Sequence, residues 1–236
     1  MTTVPTPPWR KSPRPMKPQL SQALIVETGL RILDAEGLDA LSMRRVAQEL
    51  ETGPASLYAH VSNKEELLDL IYDVILGEIR LPEPDPADWR RQLRAYALEA
   101  HRVLTKHNDI SKTALVSIPT GPNALRVGEY MMRLLVSAGM SPLDASFVVD
   151  RLSLYIAGDA FEGSQHFARM RTQGVDDPKT YIEGFVGQIR DYYQSLPPEQ
   201  FPTLTAYVAE LTDPDGQARF EFGLDLMLEG MAARMK

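Results

Sequence analysis

The chain has 236 residues, of which 44% are hydrophobic and 24% charged, enough for one or two packed domains and outside the disordered range. It has no cysteine, which excludes disulfide scaffolds and thiolate metal sites and fits a reducing, cytoplasmic setting. The net charge of −7 divides unevenly: residues 1–64 carry eight Lys/Arg against six Asp/Glu, and residues 65–236 carry seventeen against twenty-six. The basic portion is thus N-terminal, where a polyanion partner would bind.

Residues 1–18 hold six prolines, four basic residues and no acidic one, which predicts a flexible arm. Its Arg10, Lys11, Arg14 and Lys17 could follow a phosphate backbone or enter a minor groove. Ala23, Val26, Leu30 and Leu33 then mark the first amphipathic helix, stopped by Gly37. A short helix is expected from Ser42 to Leu50 and another from Pro54 to His60, where proline suits a first helical position. Asn63 and Glu66 make a capping-box-like start to a longer helix carried by Leu67, Ile71 and Val74 toward Arg80. The proline-rich LPEPDP at 81–86 sets the domain boundary. Beyond it, helices are expected near 87–106, 109–117, 122–138, 142–172, 178–195, 203–211 and 216–234, with no competing strand pattern. The reading is all-α, with an arm (1–18), a helical N-terminal domain (19–80) and a larger helical domain (81–236). No run of about 18 apolar residues suits a membrane span, and no membrane partner is expected.

Two short helices joined by a tight turn and braced by a helix on either side follow the helix-turn-helix plan. Ala47 is small where two helices must meet, and Leu50, Leu57 and Val61 can fill the space between them. Ser56, Tyr58 and His60 are left facing outward, with Arg44 and Arg45 on the preceding helix. A plain helical hairpin would explain the spacing as well. The residues say more: LSMRRVAQELETGPASLYAHVSNKEELLDLIYDVI resembles the signature of the tetracycline-repressor (TetR) family, above all in Leu57-Tyr58, His60-Val61, Lys64-Glu65 and Leu67-Leu68.

That resemblance implies a helix-turn-helix DNA-binding domain joined to a helical ligand-binding and dimerisation domain. Carried over by position, Arg44 reaches bases or nearby phosphates, Ser56 and His60 face the major groove, and Tyr58 and Lys64 hold phosphates. Arg45, Thr52 and Ala55 complete the expected interface, although Arg45 could be a solvated helix residue and Tyr58 partly a packing residue. The family's usual turn glycine falls at Glu51, so either Glu51 is left-handed or the turn differs, and the second case would displace Thr52 and Ala55.

In the family the last two long helices pair across a two-fold axis, here the runs 142–172 and 216–234. Phe220, Leu224, Met227, Leu228 and Met231 recur at seam spacing, which a monomer core would also use. Candidate ligand contacts are Tyr130, Met131, Arg151, Tyr155 and Asp159. Arg151, Tyr155, Asp159 and Glu162 share one helix face, where a surface ladder of arginine and carboxylates is the plainer meaning. His101, His107 and His166 do not match the family's tetracycline–magnesium receptor, so an apolar or aromatic effector other than tetracycline is expected. No catalytic motif is present, and no cofactor, metal or enzyme activity is expected. The reading is a homodimeric repressor of a palindromic double-stranded DNA operator, released by a small molecule. The alternative is a helical ligand-binding or scaffolding protein without specific DNA binding.

Overall fold

The computed structural model describes residues 19–107, 109–116, 118, 120–213 and 215–235. The arm cations Arg10, Lys11, Arg14 and Lys17 lie outside the described residues. Helix α1 (Gln22–Glu36) starts where the Ser21 hydroxyl accepts from Leu24 N at 3.2 Å and ends at Gly37, whose φ is 85°. In α2 (Met43–Glu49) Ser42 caps the Arg45 N–H at 3.1 Å. Helix α3 spans only Pro54–Leu57, with residues 58–60 continuing as turns, shorter than the expected run to His60. Asn63 opens α4 (Lys64–Leu76) by accepting from Glu66 N at 2.7 Å, and Glu66 accepts in return from Ser62 N at 2.6 Å.

The expected extension of α4 to Arg80 is not made. Gly77 and Glu78 bond three residues back, to Val74 O and Ile75 O, each at 3.0 Å, and this tightening closes the helix. Helices α1 and α4 pack so closely that a Cβ at Gly29 would lie 2.9 Å from Ile71 Cδ1.

After a 3₁₀ turn at Pro86–Asp88 the chain forms α5 (Trp89–Lys106), α6 (Ile110–Ala114), α7 (Pro122–Ser137) and the long α8 (Pro142–Thr172). Then come α9 (Pro178–Gln194), α10 (Pro202–Ala206), α11 (Val208–Leu211) and α12 (Gly216–Ala232). The single helix expected at 203–211 is split at Tyr207, whose φ of −118° and ψ of 32° leave helical geometry. Helices α5 and α8 form the centre of the second part, flanked by α7 and α12. Leu93, Ala97, Val103, Leu134, Leu152, Ile156, Phe220 and Leu224 are buried there, continuous with Ile25, Leu57 and Leu67 of the head formed by α1–α4. Buried Gln92 fastens the segment between the two parts, accepting from Asp85 N at 2.9 Å and donating to Glu83 O at 3.0 Å.

Of the two meanings open for the apolar seam of α12, the structure takes the monomer core. Phe220, Leu224, Leu228 and Met231 are buried within the protomer, so the predicted seam is intramolecular. The opposite face exposes Phe222 and Leu226, and Leu143 and Phe147 are exposed on α8.

Candidate nucleic-acid interface and effector cavity

Helices α2 and α3 close on Val46, Ala47, Leu57 and Val61, all 1% exposed or less. Burial of these four orients everything else. The turn resolves the glycine question: Glu51 itself takes the left-handed conformation, φ 50°, and Thr52 N then donates to Ala47 O at 2.9 Å. A left-handed non-glycine residue is locally costly, and the packed helices on either side hold it there.

Arg44, Ala55, Ser56, Tyr58 and His60 lie exposed, and Thr52 and Lys64 half-buried. Tyr58 is 53% exposed, which leaves its hydroxyl open to a partner. Lys64 rests its Nζ 3.4 Å from Leu38 O. Arg45 is placed differently. Its guanidinium donates to Glu36 at 2.7 Å and Glu49 at 2.8 Å, tying α2 to α1. The hydrogen bonds to Glu36 and Glu49 hold Arg45 well above the ordinary arginine range, and the bond from Arg45 holds Glu49 below the usual carboxylate range. That engagement makes Arg45 a brace of the head, whereas Arg44 is exposed and has no hydrogen bond or ion pair among the described residues.

A cavity of about 840 Å³ lies in the second part between α5, α8, α9 and α12. One wall is His101, whose Nε2 is 2.7 Å from Asp159 Oδ2 and whose ring stacks on Phe220 at 4.2 Å between centroids. Tyr155 stacks on the far face of that packing and donates to Phe220 O at 2.7 Å. Burial, with the nearby Asp159 charge, pushes the Tyr155 phenol up, so it remains a donor. The other wall is aromatic: the His166 ring meets Phe185 edge-on at 5.0 Å and Tyr181 at 6.1 Å. Among the described residues, Nδ1 of His166 is buried with no hydrogen-bond partner.

Of the five residues expected to meet ligand, Asp159 alone lines this cavity. Tyr130 and Met131 are 6% and 2% exposed in the core, with the Tyr130 hydroxyl 3.5 Å from Gln92 Oε1. Arg151 points outward and pairs with its neighbour Asp150, and Tyr155 secures α12. The surface ladder along α8 does not form either: Asp159 is met by His101 of α5, and Glu162 by Arg219 of α12 at 3.4 Å. His101, His166, Tyr181 and Phe185, none of them expected from the sequence to meet ligand, line the cavity instead. The spacing of Tyr181 and Phe185 on α9 was a detectable signal, but their meeting with α8 was not. Among the described residues no group of three or more His, Asp or Glu is placed to hold a metal ion, and no helix is long and apolar enough to cross a membrane.

A helix-turn-helix head with an exposed Arg/Ser/Tyr/His strip, fused to a helical body with a large aromatic cavity, defines a ligand-responsive DNA-binding regulator. Sequence and structure comparisons give the family. The profile described as bacterial regulatory proteins of the tetR family matches residues 25–71, and that described as tetracyclin repressor-like, C-terminal domain, matches 81–235. The chain belongs to the TetR family of transcriptional regulators. It is similar to an HTH-type transcriptional regulator of Saccharopolyspora erythraea, 37% identical over 92% of this chain and 86% of that one. It also resembles the HTH-type transcriptional repressor DrrR1 of Streptomyces coeruleorubidus, 31% identical over 94% of this chain and 81% of that one. Among solved structures, ActR of Streptomyces coelicolor in complex with actinorhodin superposes with a TM-score of 0.82 at 41% identity, covering 92% of this chain and 97% of that one.

Proposed function

We propose that the protein, as a cytoplasmic homodimer without catalytic activity, represses transcription from a palindromic operator and is released by a hydroxylated aromatic effector. In this reading residues 1–18 are an accessory arm, 19–80 the DNA-binding domain and 81–236 the regulatory domain. Arg44 reads bases or nearby phosphates, Ser56 and His60 face the major groove with Thr52 and Ala55 beside them, and Tyr58 and Lys64 hold phosphates. Phe222, Leu226, Leu143 and Phe147 supply the apolar surface by which two copies meet.

The observation that carries the reading is the cavity of about 840 Å³, walled by the rings of His101, His166, Tyr181 and Phe185. Planar rings can pack against Tyr181 and Phe185 while a hydroxyl bonds to His166. A ligand releases DNA only by preferring the non-binding arrangement of the heads, with a coupling of about 1–3 kcal/mol. The test measures affinity for a duplex recovered from a randomised pool by the protein, with and without actinorhodin, the molecule bound by the related ActR. Weaker binding in its presence is expected. A pool that yields no enriched palindrome refutes the operator reading.

A further inference from the structure

His107 ends α5 and is 3% exposed, yet both its ring nitrogens face carboxylates. Nδ1 lies 2.8 Å from Asp34 Oδ1 on α1, and Nε2 lies 3.0 Å from Glu78 Oε1 in the turn after α4. A neutral imidazole has one N–H and one lone pair, whereas an ionised carboxylate only accepts. Two short bonds to two carboxylates are therefore satisfied together only by the imidazolium. On α5 itself, Lys106 Nζ is 2.8 Å from Glu78 Oε2, and Arg102 feels the Glu78 charge. Burial pushes the Glu78 carboxyl up, but the Lys106 hydrogen bond and the charge and hydrogen bond of His107 outweigh it and hold Glu78 below its ordinary range.

The position of the ring gives it leverage. Six residues earlier on the same helix, a rise of about 9 Å, His101 forms a wall of the cavity, and Thr105 lines it one turn further on. The last turns of one helix thus border the cavity and, at its end, grip both α1 and the exit of α4.

We propose that His107, as an imidazolium shared by Asp34 and Glu78, is the positioning residue that clamps the DNA-binding head to the body, and that operator affinity depends on its second proton. The clamp itself stands apart from the operator reading; only its effect on affinity rests on it. Deprotonation leaves one ring nitrogen as a lone pair facing a carboxylate, which breaks one of the two bonds and frees the head to tilt.

The first test uses the full chain with isotope-labelled histidine, whose ring nitrogens report their protons by magnetic resonance. Near pH 7 both His107 nitrogens are expected to be protonated, the signal being assigned by its loss in His107→Gln. A bare ring nitrogen overturns the proposal. The second test follows affinity for the duplex selected by the wild-type chain as pH rises from about 6 to about 8.5. Wild type should weaken about fivefold to tenfold more than His107→Gln, because every other ionisable group is common to both. Equal slopes overturn the proposal. Should His107→Gln fail to fold, Asp34→Asn keeps the shape of the acceptor without its charge and should flatten the same slope, and an unchanged slope again overturns it. If no duplex is enriched the operator reading fails, and the ring protonation still decides the clamp.

Discussion

Asp73, near the end of α4, accepts from the backbone N–H of Ala124 at 2.9 Å, so the first turn of α7 is capped by a side chain of the head. Its second oxygen accepts from Asn123 Nδ2 at 3.1 Å. The approach requires Gly121, because a Cβ there would collide with the Asp73 side chain. Arg126 of α7 returns the contact, donating to Leu76 O at 3.1 Å and Ile79 O at 3.2 Å, carbonyls at the exit of α4. Asp73→Ala should cost about 1–2 kcal/mol, the size of a lost helix cap, read by denaturant unfolding. A loss of a few tenths or less would show that α7 needs no cap from the head.

Arg44 and Arg45 are adjacent in sequence and differ in engagement. Arg44→Ala is expected to cost about 1–3 kcal/mol of operator affinity and relax preference at one position in each half-site. Arg45→Ala, which unties α2 from Glu36 on α1, should lower thermal stability and change base preference little. Binding to a randomised operator library separates the two outcomes, and a base-specific defect in Arg45→Ala would contradict the bracing role.

Phe222 is 67% exposed in the protomer, across from the buried Phe220 and Leu224 on the same helix. Phe222→Glu should leave the fold intact and convert dimer to monomer in light scattering at micromolar concentration, because an unpaired charge is costly in a closed apolar interface. A dimer unchanged by this substitution would place the interface elsewhere.

Gly163 lines the cavity from α8, and a Cβ built on it meets nothing within 4 Å. Gly163→Leu should fill part of the cavity and favour the helix by up to about 1 kcal/mol relative to glycine. The expected phenotype is a protein that binds operator normally and no longer responds to an aromatic effector. Titration calorimetry against the effector that releases the wild type checks this, and undiminished binding would move the effector site out of the cavity.

Burial pushes the Tyr72 phenol up to about 12, and burial also raises that of Tyr96. The stabilising preference for neutral phenols is complete below the ordinary tyrosine range. It is lost as pH rises through the folded values, since the unfolded chain ionises first. Stability should fall by about 2–3 kcal/mol from Tyr72 alone between about pH 10 and pH 12. Tyr72→Phe should shrink that fall in denaturant experiments, and an unaltered alkaline profile would assign it to other groups.

Much of the head was legible because its signals are local. Ser42 and Asn63 act within three residues of themselves, and the period of Val46, Ala47, Leu57 and Val61 reports one buried side whatever the rest of the chain does. Glu51 was identified from its position as a departure, and its left-handed φ resolved which of two turns it makes. Arg45 was less legible, since Glu36 lies nine residues away and on another helix.

The sequence by itself determined an all-helical chain, a helix-turn-helix with its outward residues, and membership of a family, because helical period, caps and a signature motif are properties of short stretches. The tertiary structure alone decided which side of each long helix is inside. Phe220 and Phe222 are equally apolar, and only packing against α5 and α8 buries the first and exposes the second. It also decided the cavity, for His101, His166 and Phe185 come from three helices whose meeting depends on crossing geometry. No spacing along the chain encodes the contact of His107 with Asp34 and Glu78, because partners 73 and 29 residues away are brought together only by the folded core.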